Sequence, residues 1–88
     1  MAWRVEFTKS ADKELSKLDK PVRHRILRFF KDRVEKDPRS VGDQLKGHLS
    51  DFWRYRIGDY RVYADLQDDK VLVLVVRVGH RKEVYKKK

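Results

Sequence analysis

The spacing of apolar positions changes several times along the chain. Trp3, Val5 and Phe7 alternate with Arg4 and Glu6, the period of two that marks a short, half-buried strand. From Ser10 to Leu18 the interval widens: Ala11, Leu15 and Leu18 recur at helical spacing, with Thr8 or Ser10 as a capping hydroxyl. Asp19-Lys20 reads as a turn, and Pro21 suits the first position of a second helix. Its stripe of Val22, Ile26, Phe29, Phe30 and Val34 ends before Asp37-Pro38. The stretch from Arg39 to Ser50 keeps no period and reads as a loop anchored by Leu45 and Leu49. Strand patterns return in FWRYRI, YRVYADL and VLVLVVRV, separated by the turn sequences Gly58-Asp59 and Gln67-Asp68-Asp69. The last run is apolar on both faces, as a central strand should be. The predicted order is β-α-α-β-β-β, an α+β fold in which a helical hairpin covers one face of an antiparallel sheet. No repeat or linker interrupts residues 1–88, so a single domain is expected.

Alternation also sorts the cations. In FWRYRI, Trp53, Tyr55 and Ile57 point one way while Arg54 and Arg56 point the other. In YRVYADL, Tyr60, Val62, Ala64 and Leu66 form the apolar set, and Arg61, Tyr63 and Asp65 share the opposite face. With the apolar sets resting on the helices, the other face collects Arg54, Arg56 and Arg61. The last strand delivers His80, Arg81 and Tyr85 at its end, inside RVGHRKEVYKKK. A basic cleft is the expectation. Its plainer counterparts are a solvated strand face, an Arg61–Asp65 pair, a locally packed tyrosine and a frayed tail. His24 and His48 read as surface residues, and Trp53 and Tyr55 as core residues.

Composition narrows the partners without choosing among them. With 23 Lys+Arg against 14 Asp+Glu the net charge is +9, which favours nucleic acid, an acidic protein or an anionic membrane surface. The absence of cysteine removes disulfides, thiolate nucleophiles and zinc–thiolate sites, and suits a cytoplasmic setting. No apolar run is long enough to cross a bilayer, since VLVLVV is bounded by Lys70 and Arg77, so no membrane association is expected. His24, His48 and His80 have no metal-ligand spacing, the 4 glycines form no phosphate-binding loop, and no carboxylate pair is evident. Neither metal nor cofactor is expected. What remains is an arginine cluster with one tyrosine and one histidine. Such a set suits RNA, whose own 2′-OH can attack the adjacent phosphorus. That reaction needs a base, an acid and positive charge on the pentacovalent phosphate.

Three stretches carry a resemblance: ADKELSKL, LKGHLSDFWRYRIGDYRVYADL and the ending VGHRKEVY. Together they are similar to the RelE branch of the RelE/ParE toxin superfamily over nearly the whole chain, most specifically in GDYRVYADLQDDKVLVLVVRVGHRKEVY. The resemblance implies a RelE-like, microbial-RNase-like fold. It also implies a metal-independent mRNA endonuclease that cuts in the ribosomal A site by 2′-OH attack and is neutralised by a RelB-like antitoxin. It assigns Arg61 to transition-state charge, Arg81 to the leaving group and Tyr85 to the general base. Arg54 and Arg56 become phosphate contacts, with Lys46 of LKG and His80 beside them. Two departures stand out: His80 replaces a lysine, which leaves proton transfer open between His80 and Tyr85, and the sequence stops at Lys88, short of RelE's longer C-terminal helix. The ParE branch, which inhibits DNA gyrase by binding and cuts no RNA, is the alternative. Arg61, Arg81 and Tyr85 favour the nuclease. An RNA-binding module without catalysis is the third reading.

Overall fold

The computed structural model describes residues 2–45 and 52–80. Strand β1 (Arg4–Phe7) leads at once into helix α1 (Lys9–Ser16), because Thr8 is extended and caps it: the Ala11 N–H donates to Thr8 Oγ1 at 3.1 Å. Helix α2 (Lys20–Phe29) starts with Pro21 in its first turn and passes into a π-helical turn, Phe30–Val34. There the Glu35 N–H donates to Phe30 O at 2.9 Å, and the wider turn leaves both Phe30 and Val34 buried. Four strands follow: β2 (Asp43–Gln44), β3 (Phe52–Ile57), β4 (Tyr60–Gln67) and, after a short 3-10 turn, β5 (Leu72–His80).

The sheet order is β1-β5-β4-β3-β2, so β5 lies inside the sheet between β1 and β4, as its apolar run requires. From β2 to β5 the neighbours are antiparallel, as expected, whereas β1 pairs parallel to β5 and makes the sheet mixed. Alternating apolar residues specify which side a strand buries but not its direction. The direction of β1 is set by the return path through the two helices and β2. The segment read as a loop from Arg39 to Ser50 contains β2, a strand of two residues that is too short to show a period.

The core lies between the helices and one face of the sheet, with Tyr55, Phe30, Ile26, Val34, Val62, Val73 and Val75 as its largest fully buried side chains. Tyr55 packs edge-on against Phe29 and Phe30, at ring-centroid distances of 6.4 and 5.3 Å. Its hydroxyl donates to Pro38 O at 2.8 Å, and burial pushes the phenol well above its ordinary value, keeping it a neutral donor. Gly42 is required here, because a Cβ would lie 2.6 Å from a Tyr55 ring carbon.

Two irregularities shape the far end of β5. β1 reaches only as far as Val75, and beyond it the Val78 N–H donates to Glu14 Oε1 of α1 at 2.7 Å. Opposite β4 the register shifts: Tyr63 pairs with Arg77 but Ala64 pairs with Val75, leaving Val76 as a bulge. The extra residue reverses the alternation, so Val73, Val75 and Val78 are all buried while Arg77 turns to solvent. Among the described residues, no helix is long and apolar enough to cross a membrane.

Candidate functional site

Cross-strand register assembles the basic face row by row. Arg56 of β3, Arg61 of β4 and Gly79 of β5 form one row, and Arg54, Tyr63 and Arg77 form the next. Four arginines therefore occupy two adjacent rows on the side of the sheet away from the helices. Arg56 and Arg61 face each other directly, an arrangement of like charges that weakens a sheet unless an anion lies between them. Gly79 adds no side chain to their row, and both Gly79 and Arg61 are buried.

Arg61 is held by the β3–β4 turn. Its Nη1 donates to the carbonyls of Gly58, at 3.1 Å, and Tyr60, at 3.0 Å. The turn itself depends on Gly58, whose φ of 61° lies in the left-handed region. Arg61 is buried, yet its Nε has no hydrogen-bond partner, and the same holds for Arg54 Nε. An unfilled guanidinium donor beneath a positively charged surface is a place where an anion's oxygen would be stabilised. On the outer edge, Asp43 of β2 sits opposite Arg54 and serves two arginines with one oxygen: Arg54 Nη2 is 3.7 Å and Arg56 Nε 3.3 Å from its Oδ2. The face is thus only partly neutralised.

Of the residues singled out in the sequence, Arg54, Arg56 and Arg61 are brought together on this face. His80 falls in the row of Ile57 and Tyr60, the helix-facing set, with its ring edge-on to Tyr60 at 5.3 Å. Lys46, Arg81 and Tyr85 lie outside the described residues, as does His48. The Arg61–Asp65 pair is replaced by other bonds: Arg61 donates to turn carbonyls, and Asp65 Oδ2 accepts from Gln67 Nε2 at 3.1 Å. Sequence reasoning missed Arg77 and Asp43. The first is hidden by the bulge at Val76, and the second lies in a segment without a period. Among the described residues, no three His, Cys, Asp or Glu side chains are grouped to hold a metal. The described groups are suited to gripping a phosphodiester and countering charge that develops on it, since arginine remains protonated throughout the accessible pH range.

A family model for the ParE toxin of type II toxin–antitoxin systems, parDE, matches residues 5–85. Toxin RelG of Mycobacterium tuberculosis is 29% identical over 87 residues, covering 99% of this chain and 100% of that protein. The mRNA interferase toxin RelE of Escherichia coli is 33% identical over 89 residues, covering 97% and 92%. Among solved structures, the toxin–antitoxin complex RelBE2 of Mycobacterium tuberculosis superimposes with a TM-score of 0.86 at 28% identity, over 92% of this chain and 93% of that one. The isolated Escherichia coli RelE toxin superimposes with a TM-score of 0.78 at 31% identity, over 96% and 92%.

Proposed function

The chain belongs to the ParE toxin family of type II toxin–antitoxin systems, and we propose that within it the protein is a RelE-type mRNA interferase that cuts mRNA in the ribosomal A site. The observation that carries this reading is the face of Arg54, Arg56, Arg61 and Arg77, with Arg61 fixed by turn carbonyls while its Nε stays unfilled. The near full-length similarity to a protein named as an mRNA interferase supports it.

In this mechanism the arginines hold the scissile phosphate so that the 2′-OH on its 5′ side lies in line with the leaving 5′-oxygen. The 2′-oxygen bonds to phosphorus, the bond to the 5′-oxygen breaks, and the products end in a 2′,3′-cyclic phosphate and a 5′-OH. Arg61 counters the charge on the five-coordinate phosphate, a role in which a preset donor outperforms water. The proton leaving the 2′-OH is assigned to Tyr85, and Arg81 stabilises or protonates the departing oxygen. Arg54, Arg56 and Lys46 grip flanking phosphate oxygens. His80 packs against Tyr60 on the helix-facing side and is given no part in the phosphate grip. The positive charge that a metal brings to other nucleases comes here from guanidinium groups.

Arginines alone are poor proton carriers near neutrality, so catalysis on free RNA is slow. A ribosome that holds the A-site codon aligned supplies orientation, which is worth about 7 kcal/mol or more in favourable cases. The setting is then the cytoplasm, and the controlling partner is a RelB-like antitoxin drawn to the +9 charge.

The family description also names ParE, so gyrase inhibition is the second reading. Purified protein is compared on naked mRNA, on programmed ribosomes and in a gyrase supercoiling assay. Cleavage mainly on ribosomes, with cyclic-phosphate and 5′-OH ends, is expected. Blocked supercoiling with intact mRNA would replace the proposal by the gyrase reading.

A further inference from the structure

The β3–β4 turn has a second basic side. Between α2 and this turn lies a groove of about 330 Å³, lined by Arg25, Arg28, Arg33 and Arg56, with Phe29 on its wall and Asp32 as its acid. The underlying stretch, KPVRHRILRFFKDRV, is cationic along its length and Asp32 is its one acid. Arg25 reaches the turn because Gly58 has no side chain: a Cβ there would lie 2.9 Å from Arg25 Nη1. Arg61 donates to the carbonyl of the same Gly58. A single glycine turn is therefore flanked by two guanidinium groups, one belonging to the sheet face and one to the helix groove.

Arg56 joins the two sides. It stands in the row with Arg61 and also lines the groove, and its side chain is 57% exposed. β2 pairs with β3 only at Trp53 and Arg54, so among the described residues no strand covers the sheet edge at Arg56. We propose that RNA bound on the sheet face passes over this edge, and that the groove of Arg25, Arg28 and Arg33 holds the phosphates of nucleotides flanking the cut. This rests on the reading of the sheet face as a phosphate cradle. The guanidinium forks would take phosphate or carboxylate alike, and RNA is favoured because the groove is continuous with the sheet face through Arg56. The exposed large apolar side chain of this helix, Leu27, lines a neighbouring groove with Pro21, His24 and the same Arg25 and Arg28.

The test uses oligonucleotide length. Non-cleavable 2′-O-methyl RNAs, a trinucleotide and one of about a dozen residues (beyond the shortest single-strand sites of ~4 nucleotides), are titrated against the wild type and against Arg25→Gln/Arg28→Gln/Arg33→Gln. Thermal unfolding checks the fold, and Arg28→Gln alone serves if the triple variant unfolds. The longer RNA should lose roughly tenfold or more in affinity, with its salt slope shallower by about 2 for three lost phosphate contacts. The trinucleotide should bind as before. Equal losses on both lengths, or no loss on the longer RNA, would overturn the proposal. So would loss of poly-glutamate binding with the longer RNA unaffected, which would make the groove a protein-docking face. Arg54→Gln/Arg61→Gln should weaken both lengths. If it weakens neither, the sheet-face reading fails by itself, whatever the groove does.

Discussion

Arg39 and Arg61 are both held arginines, but only Arg39 is matched by a carboxylate. Arg39 forms a two-point fork with Asp68, with Nη1 and Nη2 each 2.9 Å from a carboxylate oxygen. Its guanidinium carbon lies 5.9 Å from the Trp3 ring centroid and 5.8 Å from that of Trp53. It ties the loop before β2 to the β4–β5 turn and to the rings of Trp3 and Trp53. On the sheet face, by contrast, Arg54 and Arg56 divide one carboxylate at longer range, Arg61 opposes Arg56, and two Nε donors are unfilled. In a chain with 23 basic side chains, the number of cations identifies no site. The pairing of two unfilled donors on neighbouring strands beside one shared carboxylate does, since a lone unfilled donor also occurs at Arg23 Nε in α2.

The largest difference should appear in activity. Arg61→Gln is expected to lower ribosome-dependent cleavage by about 10²–10³, the usual cost of losing one preset transition-state donor. Arg61→Lys should not restore it, since lysine has no planar fork. Arg39→Gln should leave cleavage near wild type and lower the unfolding temperature instead. If Arg39→Gln lost as much activity as Arg61→Gln, the distinction between filled and unfilled forks would fail.

Tyr55→Phe sharpens the structural half of the comparison. It removes the donor to Pro38 O, the carbonyl next to Arg39, in a fully buried site. A loss of about 1–3 kcal/mol of stability is expected from the orphaned acceptor, read by denaturant unfolding, with cleavage unchanged under conditions where the variant is folded.

The sequence made Arg54, Arg56 and Arg61 legible as one set because β3 and β4 are regular, adjacent and joined by a short turn, so period-two alternation transfers directly into space. It made Trp53, Tyr55 and Ile57 legible as core for the same reason. Arg77 was not legible, because the bulge at Val76 reverses which residues of β5 face outward. The same bulge turns His80 toward the helix-facing side. Asp43 belongs to a strand of two residues, and no periodicity exists at that length. The direction of β1 and the Arg39 stack are long-range facts: the stack needs Trp3, Trp53 and Asp68 to converge from three parts of the chain.

Asp43→Asn tests the unfilled side with a smaller effect. Removing the carboxylate shared by Arg54 and Arg56 should raise affinity for non-cleavable RNA a few-fold, in line with the ~0.2–1 kcal/mol typical of exposed ion pairs. Most of that gain should vanish in an Arg54→Gln/Arg56→Gln background, and Asp68→Asn should give none. A gain that persisted without the two arginines would reflect net charge alone, and Asp43 would have no specific hold on the site.

The smallest expected effect is a pH dependence of the filled fork. The hydrogen bonds from Arg39 hold the Asp68 carboxyl below its ordinary 3.8, and Asp68 in turn holds Arg39 above its usual value. A carboxyl lowered in the folded state stabilises the fold above its unfolded pKa, and this contribution fades as pH falls from 3.8 through the lower folded value. Thermal unfolding of wild type and Asp68→Asn should therefore differ near neutrality and converge in acid, with the gap closing below about pH 4. Salt should shrink the gap at neutral pH, because both side chains are substantially exposed. Arg39→Gln should remove the same pH-dependent part, and combining the two substitutions should add little to it. A gap that stayed constant into strong acid would mean that stacking on Trp3 and Trp53, rather than charge, holds Arg39 in place, and the contrast with the sheet face would lose its electrostatic basis.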